Sequence, residues 1–234
     1  MGLPPASPVA PSLEWIGDAH LCVRLGDAIS ADSHAGVRSA HERLRRAGIP
    51  GLIDLTPAYT TLLLRFDAMT LDPDIAAAAV RGVLEGVGSA PPPPSRLVDV
   101  PVCYDPSLAP DLADVALRCS LAPERVVELH SGAEYRVAFI GFAPGFPYLT
   151  GLPKQLSVPR LDSPRPRVPA GSVAIAGDQA GIYPHATPGG WRIVGRTPVR
   201  LFDVAASVPS MLAMGDRIRF VPISLDEFRS RERR

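Results

Sequence analysis

The sequence predicts an α+β domain followed by a mainly β, barrel-like domain. Three observations lead there. Residues 1–90 carry apolar positions that alternate and then recur at helical spacing, in the order β-α-β-β-α. Four consecutive prolines, Pro91 to Pro94, then favour an extended, semi-rigid spacer. Beyond them, short apolar runs sit between Gly/Pro turns, the pattern of a compact β domain. The domain boundaries that follow are 1–90, a linker at 91–97, a barrel at 98–223 and a charged tail at 224–234.

Taken in order, residues 1–11 are rich in Pro and Ala and read as a loose leader. Leu13 to Leu25 alternates and holds one or two strands. Asp32 and Ser33 are N-cap candidates for a helix to about Ala47, because Val37, Ala40, Leu44 and Ala47 share one face and Gly48 is a good stop. Ile49 to Leu55 and Thr60 to Phe66 read as strands joined at Thr56-Pro57-Ala58. Pro73 opens a second helix, Asp74 to about Val87, ended by Gly88. In the second domain Arg96 to Tyr104 is strand-like, Pro110-Asp111 opens a helix to about Cys119, and Pro123 opens another to about His130. Tyr135 to Phe142, Val173 to Ala176, Ile193-Val194, Val199 to Val204 and Arg217 to Val221 are the remaining apolar runs. Ser224 to Arg234 is charged and is expected to fray.

Composition excludes several classes. The 24 basic and 24 acidic residues cancel, which argues against a protein that grips nucleic acid by bulk charge. No apolar run approaches the roughly 18 residues of a membrane span, and Met1-Gly2-Leu3-Pro4 lacks the blocks of a signal peptide. The three scattered cysteines, Cys22, Cys103 and Cys119, fit a reducing cytoplasm better than a disulfide framework. There is no P-loop, no G-x-G-x-x-G after a strand and no G-x-S-x-G elbow. His20, His34, His41, His130 and His185 show no metal-ligand spacing, so no metal site is expected.

Proline is the outlier at 27 of 234 residues, and ten of these lie between Pro144 and Pro198. Proline fixes φ and removes a donor, so that stretch must be structured loops and edge strands. It holds four unusual segments: Gly141-Phe142-Ala143-Pro144-Gly145-Phe146-Pro147-Tyr148-Leu149; Pro159-Arg160-Leu161 with Pro164-Arg165 and Val168-Pro169-Ala170-Gly171-Ser172-Val173; Gly181-Ile182-Tyr183-Pro184 with Thr187-Pro188-Gly189-Gly190-Trp191; and Gly195-Arg196-Thr197-Pro198. Gly and Pro give sharp, rigid turns. Phe142, Phe146, Tyr148, Tyr183 and Trp191 are then aromatics held on turns, and Arg160, Arg165, Arg192 and Arg196 are fixed positive forks. Such a set suits a small planar acid or a protein interface.

These segments closely resemble the KipI/PxpB family, also described as allophanate hydrolase subunit 1 or carboxyltransferase subdomains C and D. The matching stretches here are GFAPGFPYLTGL, PRLDSPRPRVPAGSVAIAG and QAGIYPHATPGGWRIVGRTP. The resemblance is strong over about residues 96–222 and weak before that. Ala180 stands where the family usually has threonine, and Thr187 where serine is common. The resemblance implies a small α/β N-terminal domain and a cyclophilin-like β-barrel. It also implies a partner C subunit (KipA/PxpC-like) and, for a prokaryotic ATP-dependent 5-oxoprolinase, an A subunit (LamB/YcsF-like). ATP with Mg would be bound by the complex. Two other roles occur among such proteins: half of a biotin-dependent carboxyltransferase, as in urea carboxylase, and inhibition of a histidine kinase by surface contact.

With 5-oxoproline as the substrate, activating a lactam oxygen with ATP needs positive charge and a shielded pocket. Arg160, Arg165 and Arg196 are the candidates for those contacts, against a structural role tying loop carbonyls together. His130, at a helix end before Ser131-Gly132, is a candidate acid/base group or else a helix-capping histidine. Gln179, Tyr183, Trp191 and Arg192 are candidate substrate contacts, with packing of the barrel mouth the other reading of Tyr183 and Trp191. Phe142, Phe146 and Tyr148 are assigned to the core or a subunit interface rather than to substrate. Lys154, the sole lysine, follows Pro153 in a polar loop and is expected to face solvent.

Overall fold

The computed structural model describes residues 11–85 and 95–233. The chain divides into two compact units, Met1–Pro94 and Ser95–Arg234. The expected leader, apart from Pro11, the Gly88 stop and the four-proline run lie outside the described residues.

In the first unit, β1 (Ser12–Ile16), β2 (His20–Arg24), β3 (Leu52–Pro57) and β4 (Thr61–Phe66) form an antiparallel sheet in the order β1-β2-β4-β3. Leu21 and Val23 on β2, and Leu62, Leu64 and Phe66 on β4, point to one face, as strand alternation requires. Helices α1 (Ala31–Ala47) and α2 (Pro73–Leu84) cover that face with Val37, Ala40, Leu44, Ala77, Val80 and Leu84. The cap of α1 is Ser30, not Asp32 or Ser33. Its side chain accepts from the Ser33 N–H at 3.0 Å, while the Ser33 hydroxyl donates back to the Ala28 carbonyl. Gly48 ends the helix at φ 61°.

The second unit is built on a seven-stranded sheet. Its strands are β5 (Leu97–Val102), β6 (Glu134–Ile140), β7 (Pro147–Thr150), β9 (Ser172–Ala176), β10 (Gln179–Ile182), β12 (Arg192–Arg196) and β13 (Arg217–Pro222), ordered β12-β9-β10-β7-β6-β13-β5. Every pairing is antiparallel except β13 with β5. The two edges meet: the Cys103 N–H donates to the Arg196 carbonyl at 2.8 Å, and the Arg196 N–H returns to Cys103 at 2.9 Å. The sheet therefore curls into a barrel-like domain. Helices α3 (Leu112–Cys119) and α4 (Pro123–Gly132) pack Val115, Ala116 and Val126 into a core with Val100, Tyr135, Val137, Ile175, Val194 and Phe220. A separate ribbon, β8 (Arg165–Val168) with β11 (Thr187–Gly189), completes the strands.

β9 shows why its sequence is continuously apolar. Val173 and Ile175 enter the main core, while Ala174 and Ala176 enter a second cluster with Phe146, Val168, Tyr183, Trp191 and Ile193. A strand buried on both faces has no polar side to alternate, and the aromatic groups lie on its second face.

Two expectations are corrected. The charged tail does not fray over its described residues, 224–233. Leu225–Glu232 is a helix, α5, whose cap Ser224 accepts from the Glu227 N–H at 3.2 Å and whose Phe228 is 1% exposed. One apolar residue in a charged segment is enough to dock a helix by burying a ring. Val199 to Val204 forms no strand; it runs irregularly, with one bridge between Phe202 and Ser210.

Candidate functional site

The segment after β6 folds into two consecutive tight turns. The Ala143 N–H donates to the Gly141 carbonyl at 2.7 Å, closing a three-residue turn around Phe142, which sits at φ 64°. The Phe146 N–H donates to the Ala143 carbonyl at 2.9 Å around Pro144-Gly145, with Gly145 at φ 81°. Pro followed by a left-handed Gly is the signature of a type II turn. A left-handed phenylalanine is costly, and such strain survives only where the surroundings enforce it. The result holds the Phe142 ring out, 63% exposed, edge-on to Phe146 at 5.4 Å and to Tyr183 at 6.4 Å.

Behind it lies an aromatic box. Phe146 sits 5.2 Å from Tyr183 and 5.7 Å from Trp191, and Tyr148 sits 5.7 Å from Trp191, all near perpendicular. Edge-to-face packing of this kind fixes ring positions. Together with Phe142, Arg160, Pro164, Pro188, Gly189 and Gly190 these rings line a cavity of about 280 Å³. Gly189 is required there by close approach: a β-carbon on it would stand 2.3 Å from the Tyr183 hydroxyl oxygen. Burial pushes the Tyr183 phenol above its ordinary range. A hydrogen bond from the Trp191 backbone and the charges of Arg160 and Arg165 work against that shift.

The four candidate arginines separate sharply. Arg160 lies over the Trp191 ring, its guanidinium carbon 5.8 Å from the centroid, and lines the cavity. Arg165 donates to Asp111 at 2.6 Å. Arg192, almost fully buried, faces away from Trp191 and pairs with Asp114 and the Pro159 carbonyl. Trp191 clusters with Ile193, two positions on, while Arg192 between them is turned to Asp114, so only one of the pair Trp191-Arg192 serves the cavity. Arg196 donates to the Ala170 carbonyl at 2.8 Å, pairs with Glu232 at 3.1 Å and lies over Phe228 at 5.6 Å. Three of the four therefore tie loops and helices together, and one faces the cavity.

Two other candidates sit elsewhere. Gln179 begins β10 beside the Gly177-Asp178 turn, pairing with Ala176, at the end of the strand remote from Tyr183. His130 is wholly buried in the main core, stacked on Phe220 at 4.7 Å with Nδ1 2.8 Å from the Tyr104 hydroxyl. Burial pushes its pKa down to about 3, so it is neutral and sealed from the cavity. An acid/base group must reach the proton it moves, which this position does not allow. The trio Phe142, Phe146 and Tyr148, read as core or subunit interface, lines one cavity with Tyr183 and Trp191.

Sequence reasoning missed Asp111 and Asp114, which neutralise two of the arginines, and the lining prolines Pro164 and Pro188. Asp111 is buried and accepts from both Arg165 and the Ile193 N–H, the latter at 2.7 Å. Its only sequence signal was the helix start at Pro110-Asp111.

The profile described as "Carboxyltransferase domain, subdomain C and D" matches residues 11–212. The chain is 37% identical over 226 residues to the 5-oxoprolinase B subunit of Bacillus subtilis (strain 168), covering 92% of this chain and 94% of that one. It is 41% identical over 210 residues to the 5-oxoprolinase B subunit of Escherichia coli O157:H7, covering 88% and 94%. Among solved structures it is similar to TTHA0988, with TM-score 0.77 and 38% identity over 88% of this chain, and it spans 40% of that longer protein.

Proposed function

The chain belongs to the carboxyltransferase-domain family of subdomains C and D, and on that premise we propose that it is the B subunit of an ATP-dependent 5-oxoprolinase. The observation that carries this reading is the identity of 37% and 41% to two proteins of that name, over 94% of each. The reaction opens a lactam by adding water across its C–N bond to give glutamate, driven by ATP. In this reading the chain acts with a C subunit, and with an A subunit, in the cytoplasm. The free thiols of Cys22, Cys103 and Cys119 are in keeping with a reducing compartment. We further read the barrel-like domain as cyclophilin-like.

Within the complex, this chain's contribution is a rigid aromatic cavity that holds a small ring. The cavity does not fit a magnesium nucleotide. Its lining has no carboxylate, and among the described residues no group of three or more His, Cys, Asp or Glu side chains could hold a metal. ATP is accordingly assigned to the complex and not to these residues. The shared name of the relatives favours this reading over a carboxyltransferase half or a kinase inhibitor. The test is co-purification with the C and A subunits and assay of glutamate release from 5-oxoproline. Release that needs ATP and all the subunits is expected; an assembled complex that releases none overturns the assignment.

A further inference from the structure

We propose that Arg160 is the specificity-determining residue of the aromatic cavity: it anchors the carboxylate of a small ring acid whose ring lies among Phe142, Tyr183 and Trp191. This rests on the 5-oxoprolinase reading for the identity of that acid, 5-oxoproline. Charge singles the residue out. Arg160 is the one charged side chain lining the cavity. Each of the other arginines in the signature segments with a role proposed from sequence has an acid partner: Arg165 on Asp111, Arg192 on Asp114, Arg196 on Glu232. Among the described residues Arg160 makes no ion pair, and Asp162, two positions on, does not reach it.

The guanidinium is nonetheless directed to the cavity wall, where its carbon lies over Trp191 at 5.8 Å. Trp191 is itself fixed by Phe146 and Tyr148. From there the guanidinium's N–H donors are free to meet a carboxylate with two parallel N–H···O bonds. At about 280 Å³ the cavity is just below the roughly 300–1,000 Å³ range of drug-sized pockets, so a single small ring fits it better than a peptide.

The readout is Trp191 fluorescence in the full chain carrying Trp15→Phe, which leaves one tryptophan. The probes are 5-oxoproline, its uncharged carboxamide, and tetrahydrofuran-2-carboxylate, a ring acid with no lactam. Both acids are expected to bind, the carboxamide about ten- to a hundredfold more weakly. Arg160→Gln is expected to weaken both acids by a similar factor and leave the carboxamide unchanged, with Arg160→Lys between. In the assembled complex the same variant is expected to raise KM for 5-oxoproline with kcat little changed, since the anchor acts equally on bound substrate and transition state. Because Arg160 is exposed and unpaired, its variants should keep the wild-type urea midpoint, which checks folding. Equal binding of acid and carboxamide by the wild type overturns the proposal, as does Arg160→Gln binding the acids normally. Binding of neither acid, by the chain alone or with its C subunit, also overturns it. Arg160-dependent binding of the ring acids beside a complete complex that releases no glutamate would leave the anchor standing and remove the 5-oxoprolinase reading.

Discussion

His130 illustrates what burial does to a residue whose sequence context suggested chemistry. It is neutral in the fold, with its pKa pushed down to about 3, whereas in an unfolded chain it titrates near 6.5. Between those values the unfolded chain holds one more proton than the folded one. The stability contributed by the neutral ring is therefore complete above about pH 6.5 and is lost as pH falls towards 3, by up to about 1.4 kcal/mol per pH unit. His130→Phe can keep the stacking on Phe220, gives up the bond to Tyr104 and removes the titration. Urea denaturation at several pH values should show the wild type ahead near pH 7 and its lead shrinking by roughly 2 kcal/mol at pH 5. Parallel stability curves for the two proteins would show that His130 is not titrating out of a buried, neutral state.

At the scale of elements, the site depends on how α3 is fastened to the strands. Asp111, just ahead of that helix, is buried and accepts from Arg165 on β8 and from the Ile193 backbone on β12. One side chain thus joins a helix start to two strands that frame the cavity. Asp111→Ala leaves a guanidinium and a buried N–H without a partner and is expected to cost about 3–5 kcal/mol, read as a lowered urea midpoint. Asp111→Asn keeps an acceptor for Ile193 and should recover part of that loss; equal losses would mean that only the charge matters. The exposed pairs Arg217–Glu134 and Arg219–Asp99 contrast with this, since pairs open to water contribute little.

For the second unit as a whole, the decisive feature is closure. β5 and β12 are the ends of the strand order, yet Cys103 and Arg196 exchange both backbone bonds. Native-state hydrogen exchange should find these two amides protected like those of β9, which is paired on both sides, because only opening of the barrel exposes them. Exchange at the rate of an open edge would show that the sheet does not close.

The sequence by itself determined most of the elements and the family. Helical spacing around Val37 and Leu44, Pro73 and Pro123 at helix starts, and the Pro144-Gly145 turn are local signals, set by backbone sterics within a few residues. It determined equally that residues 141–198 hold the aromatics and arginines of a site. Which of those residues face one another was decided only by the tertiary structure. Arg165 finds Asp111 across 54 positions and Arg192 finds Asp114 across 78, and no local pattern encodes such pairings. His130 reads as a helix-end residue until Phe220, some ninety positions later, closes over it. Charge and burial are properties of the assembled barrel, so only the fold could neutralise three arginines, bury the histidine and leave Arg160 over Trp191 facing the cavity.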